Sequence, residues 1–460
     1  MNRWKQIGAA LVSSLSLALV ADVAVAHTGG LALNQDPQPV PVWLTLMTGG
    51  GVIGMSFLFA SLMTDHDLIR EINGTSTSIS IQGFVRGYAQ RVVGWIGVAA
   101  LGVIIVTGLI GPQNETTNLA ILVVWVGWWA GYTMSVYLVG NSWPLLNPWR
   151  TLAEYVPRLG SADLPERFGV WPSVIGLLLL VYLEVVTPVA QSPRLLVGVI
   201  LGYTVVTLGG VAMYGSDTWF DRVDPVAQIF RYYGFVAPIQ RTDEGVKFRL
   251  PGTAVIDNRG GEGFAGTAFI IAILWVTTYD GFVSIPAWGT LIGPIVQIGV
   301  PALLVYFVAL LLGYGLFLGL YVAGARIARQ TGETYLKASF IGRELATSLL
   351  PIAAGYHLAH FLGYFLTLSP SMITVFVNPL SAPAQVPVLS IPGWFSALQL
   401  LFVLIGHVMA VWAAHSIAFK LFAGRLQPIR SQYPFIALMI FYTMVSMWIV
   451  TSPTGPPPYL

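Results

Sequence analysis

The chain is 460 residues long, 55% hydrophobic and 12% aromatic, and only 9% of its residues are charged. A mean hydropathy of +0.74 excludes a soluble globular domain and predicts an all-α, polytopic helical membrane protein. The net charge of +2 selects no partner by itself. The absence of cysteine excludes a disulfide framework, an iron–sulfur cluster and a thiolate metal site, leaving His, carboxylate or Met to hold any metal.

Residues 1–26 read as a cleaved signal peptide. Arg3 and Lys5 form its charged start, Ile7 to Val20 its apolar core, and Ala24-Val25-Ala26 its cleavage site. Cleavage there makes His27 the mature N-terminus, where an amino group and an imidazole could chelate copper(II) together; the alternative is an uncleaved first helix.

From 27 to 452 the pattern is a ten-helix transmembrane domain, with apolar runs at 41–63, 92–111, 118–139, 171–190, 196–214, 265–285, 298–325, 346–366, 394–416 and 435–452. The odd-numbered gaps carry Arg70 and Arg91, Arg150 and Arg158, Arg222 through Arg259, Arg326 through Arg343, and Lys420 through Arg430. Of the basic residues after Ala26, Arg194 alone falls in an even-numbered gap. The positive-inside rule then puts these loops in the cytoplasm of a plasma-membrane protein with both mature termini outside.

The largest loop, 215–264, opens with Asp224-Pro225 and includes an alternation of Val246, Phe248 and Leu250 that suggests a small hairpin. Asn147-Pro148 offers a similar start, since Asn or Asp caps a helix whose first turn accepts Pro. Gly49-Gly50-Gly51 within the first span signals close helix packing, and Met47, Met55 and Met63 read as adaptable packing. His66 falls in a solvated cytoplasmic loop. The tail, 453–460, is Pro-rich and expected to be disordered.

The informative residues are Glu184, Asp280, His357, His360 and His407, all within apolar spans. An ionisable group in a bilayer costs on the order of 2.5 kcal/mol or more unless it faces a partner or a wet cavity. Counted from the cytoplasmic ends of their spans at about 1.5 Å per residue, the five fall in a slab roughly 10 Å thick. His357 and His360 share a helix face, and His415 lies about 12 Å nearer the cytoplasm than His407. Imidazole with carboxylate suits a divalent metal such as Zn, Fe, Mn or Cu. Each residue also has a structural reading: a lone histidine can join two helices by a hydrogen bond, and Glu184 or Asp280 can pair with Tyr182 or Thr278. There is no P-loop, and the basic residues are spread over five loops with no nucleic-acid footprint. Asn114-Glu115-Thr116 is a glycosylation sequon of low specificity.

Segments over nearly the whole mature chain resemble a group of prokaryotic membrane proteins labelled fenitrothion hydrolase-like. They are Ala26-His27-Thr28-Gly29, Asn147-Pro148-Trp149-Arg150, Leu183-Glu184, Asp224-Pro225, Asp280-Gly281-Phe282, Ala359-His360, Gly406-His407, Ala414-His415 and Arg430-Ser431-Gln432. Tyr279 and His357 depart from the group's pattern. The resemblance implies a hydrolase of organophosphate triesters in which Glu184, Asp280, His360, His407 and His415 act together. On that expectation a metal held by the histidines activates water, and Glu184 or Asp280 serves as general base. Three alternatives stay open: metal-ion handling, with His27 capturing copper for the buried cluster; a b-type cytochrome with haem between the eighth and ninth spans; and a proton-coupled transporter.

Overall fold

The structure, a computed structural model, describes residues 41–80, 83–160, 163–242, 245–257 and 263–460. The expected signal peptide and His27 lie outside the described residues. Helices dominate: α1 (Val42–Leu62), α2 (His66–Gly74), α3 (Gly83–Ile110) and α4 (Leu119–Leu138) are followed by short α5 (Trp143–Leu146) and α6 (Pro148–Ala153). Then come α7 (Trp171–Val186), α8 (Pro193–Tyr214), α9 (Ser216–Arg222), α10 (Pro225–Gly234) and α11 (Ala254–Asp257). The second half is α12 (Gly263–Val283), α13 (Pro286–Gln297), α14 (Ala302–Thr331), α15 (Ala338–Ala346), α16 (Leu350–Val377), α17 (Phe395–Leu421) and α18 (Leu426–Thr451).

Among the described residues nine helices are long and apolar enough to cross a membrane, so the chain is a multi-pass membrane protein. The helix in the expected fourth span, α7, has 16 residues and stops at Thr187 before Pro188, which cannot continue its ladder. Between the sixth and seventh expected spans the chain forms a further helix, α13, begun by Pro286. Pro370 and Pro434 lie inside α16 and α18 without ending them, as packed membrane helices allow.

The loops that share positive charge also share one end of the bundle. The strands β1 (Ser76–Ser80), β2 (Ile239–Arg241) and β3 (Gly245–Arg249) form an antiparallel sheet in the order β1-β3-β2, joining the loop after α2 to the long loop after α8. The expected hairpin is thus present, with a third strand that local pattern does not announce. Arg150 pairs with Asp221 at 3.4 Å, Asp257 with both Arg249 and Lys420, and Arg430 with Glu333 at 3.5 Å. The Asx-Pro starts behave as expected: Asn147 accepts from Trp149 and Arg150 amides, and Asp224 from the Ala227 amide.

At the opposite end the tail is docked, correcting the expectation of disorder. The Gly455 amide donates to the Ser284 carbonyl at 2.8 Å, and the Tyr306 hydroxyl to the Pro458 carbonyl at 2.9 Å. His66, expected in solvent, begins α2 and donates from Nδ1 to the Phe419 carbonyl at 3.0 Å.

Small residues set the tightest helix contacts. Gly49 and Gly50 face Met447, Ile440 and Met444 of α18, as the triglycine suggested. Where α16 meets α17, a Cβ at Gly355 would lie 2.6 Å from the Phe402 carbonyl oxygen, and one at Gly406 would meet the Pro351 carbonyl. Gly406→Ala should therefore cost about 1–3 kcal/mol, read as a lower thermal midpoint of the purified protein. Gly51→Ala, whose Cβ would meet nothing within 4 Å, should not lower it.

Partial burial raises the Asp257 carboxyl, but its hydrogen bonds and attraction to Arg249 and Lys420 outweigh this and hold it below the usual 3.8. A depressed folded value means that the stabilisation is complete above the unfolded value and is lost as pH falls through the folded one. Asp257→Asn should remove this increment of acid sensitivity below about pH 4 while leaving the others. Thermal midpoints measured between neutral pH and pH 3 would check it.

Candidate functional site

The most buried long helix, α12, carries Asp280 in its last turn. Its neighbour α16 places His357 and His360 on one face. His360 Nε2 stands 3.9 Å from Asp280 Oδ2, with side chains 10% and 20% exposed respectively. The two are therefore close enough for strong electrostatic coupling but beyond a direct hydrogen bond.

Tyr356, one turn before His360, lies parallel to its imidazole at an interplanar angle of 7°. The Tyr356 hydroxyl reaches α12 beside Gly281, where an added Cβ would collide with it and lie 2.7 Å from Ile449 Cγ2. Glycine is required at 281 by this approach. Ser284 donates to the Asp280 main-chain carbonyl at 3.1 Å, completing the turn on which the carboxylate sits.

The remaining expected site residues are elsewhere. His357 is fully buried: its Nδ1 meets the Tyr137 hydroxyl at 3.0 Å, and Trp129, Tyr137, Tyr233 and Phe361 surround its ring. Trp129 belongs to the π-helical stretch of α4, Leu122–Tyr132, a wider winding that is often found at functional positions. His407 is also fully buried and donates from Nδ1 to its own helix at the Val403 carbonyl, 2.8 Å away; its Nε2 has no hydrogen-bond partner. His415 uses both nitrogens. The Gln432 amide donates to Nδ1 at 3.3 Å, so Nε2 carries the proton and donates to the Met63 carbonyl at 2.9 Å.

Glu184 lies two residues before the end of α7 and shares the surroundings of Tyr364 with Glu115. Partial burial lifts the Glu115 carboxyl, which sits in the loop before α4, above its ordinary value. Of the hydroxyls suggested as partners for the carboxylates, Tyr182 donates to the Leu303 carbonyl and Thr278 to the Leu274 carbonyl.

The expected single set of two carboxylates and three histidines is thus divided. Depth brought Asp280 and His360 together; it did not bring them to Glu184, His407 or His415. Among the described residues no group of three His, Cys, Asp or Glu side chains is arranged to hold a metal ion. The two atoms available to a metal at the pair are His360 Nε2 and Asp280 Oδ2. Tyr356 was not singled out in the sequence, although it stands at the helical spacing of four from His360; Gly281 entered only as part of the Asp280-Gly281-Phe282 resemblance.

Compared with protein-family models, curated proteins and solved structures, the chain matches none. The site is therefore read from its own geometry.

Gly281→Ala should lower the thermal midpoint, by about 1–3 kcal/mol of overpacking. Tyr356→Phe, which removes the colliding oxygen, should recover part of that loss in the double variant. Additive effects in this double-mutant cycle would show that the two groups do not touch.

Proposed function

We propose that the chain is a proton-coupled membrane transporter whose exchanging centre is the Asp280–His360 pair. The observation that carries this reading is the 3.9 Å approach of a carboxylate and an imidazole, both largely buried between apolar helices yet not sealed. Ionised, the two attract across a low dielectric; neutral, each relieves the membrane of a charge. A proton arriving or leaving therefore changes the attraction between α12 and α16, and this can bias two arrangements of the helices. Both nitrogens of His415 are taken up by hydrogen bonds, and no three His or carboxylate side chains gather among the described residues, which favours a two-residue proton site over a five-residue metal site.

In this reading the charge-rich end is cytoplasmic, in a plasma membrane. Both mature termini are outside after signal cleavage, and α7 completes a tenth, short crossing. The coupled solute is a small molecule or ion.

A second reading keeps the same pair and makes it hydrolytic, as the resemblance implies. It is favoured by the 20% exposure of Asp280, which leaves the carboxylate reachable. Asp280 would take a proton from water attacking a phosphotriester, and His360 would orient the carboxylate. A divalent ion between Asp280 and His360 would supply Lewis-acid activation of that water.

Infrared difference spectra of the protein in lipid nanodiscs, recorded across a pH titration, test the primary reading. A protonated-carboxyl band should titrate, disappear in Asp280→Asn and shift its midpoint in His360→Gln. A band unchanged in Asp280→Asn would overturn the assignment. Hydrolysis of a chromogenic phosphotriester that falls by roughly a hundredfold in the same variant would select the second reading.

A further inference from the structure

One helical turn before Asp280, a small cavity opens between α12, α14, α16 and α18. It is lined by Thr277 and Thr278 of α12, Phe317 of α14, Tyr356 of α16, and Tyr442 and Ser446 of α18. It has room for about one water molecule.

Two of its lining groups are unsatisfied. Tyr356 and Tyr442 are each only 3% exposed, and neither hydroxyl has a hydrogen-bond partner. Leaving a buried donor unpaired costs about 1–3 kcal/mol, more than a neutral hydrogen bond contributes on average. The other hydroxyls can accept. Thr277 and Thr278 donate to carbonyls of their own helix at 2.8–3.1 Å, so each keeps lone pairs for a further donor. Two donors without acceptors and two acceptors without donors around one water-sized space are the partners that a buried water uses.

We propose that this cavity is an internal water site, held by the hydroxyls of Tyr356 and Tyr442, that extends the Asp280–His360 centre one turn into the bundle. The inference rests on the proton-exchange reading for its role, though not for its existence. Tyr356 links the two places: its ring lies along His360, its hydroxyl lies beside Gly281, and the residue lines the cavity. Thr277 stands three residues before Asp280, on the same face of α12. Beyond the water, Tyr442 is stacked on Phe317 at 5.0 Å and 14°, with Leu274 and Ile352 beside them. The water is therefore a proton's last polar station short of a gate made by Phe317 and Tyr442.

The test uses full-length protein in lipid nanodiscs and infrared difference spectra across the same pH step, in ordinary water and in water labelled with oxygen-18. The wild type should show an isotope-sensitive O–H band of a weakly hydrogen-bonded water. That band should vanish in Tyr442→Phe and in Tyr356→Phe, while the Asp280 carboxyl band persists in both and reports that they are folded. A wild-type spectrum without the band, or a band unchanged in both variants, overturns the water site. The wild-type result decides the matter even if a variant does not fold. A water band that is present in a protein whose Asp280 never titrates supports the water site and rejects the proton-exchange reading, so the two failures are distinguishable.

Discussion

A polar group in hydrocarbon must find its partner within the protein, and this one constraint orders the interior. The intramembrane histidines meet it in different ways. His407 bonds back to its own helix, His415 is spent between the Met63 carbonyl and Gln432, and His357 is given a tyrosine hydroxyl within an aromatic cage. Those arrangements fix helices in place. One ring nitrogen each of His357 and His407, Nε2, still finds no hydrogen-bond partner, while Asp280 and His360 face each other at 3.9 Å. A buried pair kept only for stability would be expected to sit at hydrogen-bond distance with its remaining valences filled. This one is left adjustable.

The adjustability depends on rigid surroundings. Gly355 and Gly406 let α16 and α17 approach to backbone contact, which fixes the helix that presents His357 and His360. Gly281 does the same for α12 by admitting the Tyr356 hydroxyl beside the residue that follows Asp280. At the far end the docked tail bonds to Ser284, whose own hydroxyl bonds to the Asp280 carbonyl. The carboxylate is thus supported from the helix before it, the turn after it and the C-terminus, with its charge the one feature free to change.

Much of the fold was legible because membrane insertion writes it locally. Apolar length gave the positions of the helices, and the alternation of basic loops anticipated the gathering of those loops at one end. Asn147-Pro148 and Asp224-Pro225 gave two helix starts because a cap is a property of neighbouring residues. The site was legible only in part. Depth along a helix is encoded in one segment, so Asp280 and His360 could be placed at one level. Which faces turn toward each other is decided by packing among several helices, and nothing in either segment states it. The same gap accounts for the separation of His407 and His415 from the pair. The third strand, β1, and the docked tail were missed for the same reason, since each depends on a partner far away in sequence.

The asymmetry of the centre bears on its direction of work. On one side the Asp280 side chain is 20% exposed; on the other lie the hydroxyl-bearing Thr277, Thr278, Tyr356, Tyr442 and Ser446, with Phe317 flat against Tyr442. Charge cannot cross such a stack without hydration, because unpaired polar groups in that layer would be strongly unfavourable. On the proposed proton-exchange reading, a proton held at Asp280 exchanges with one side at a time. Moving the barrier requires a shift of α14 or α18, which hold Phe317 and Tyr442, relative to α12 and α16, which hold the pair. On the same reading, loss of charge at Asp280 weakens its attraction to a protonated His360 across the α12–α16 contact and so acts on one of the packed surfaces that such a shift must change. The proposed function thereby ties protonation and access to the same small group of helices.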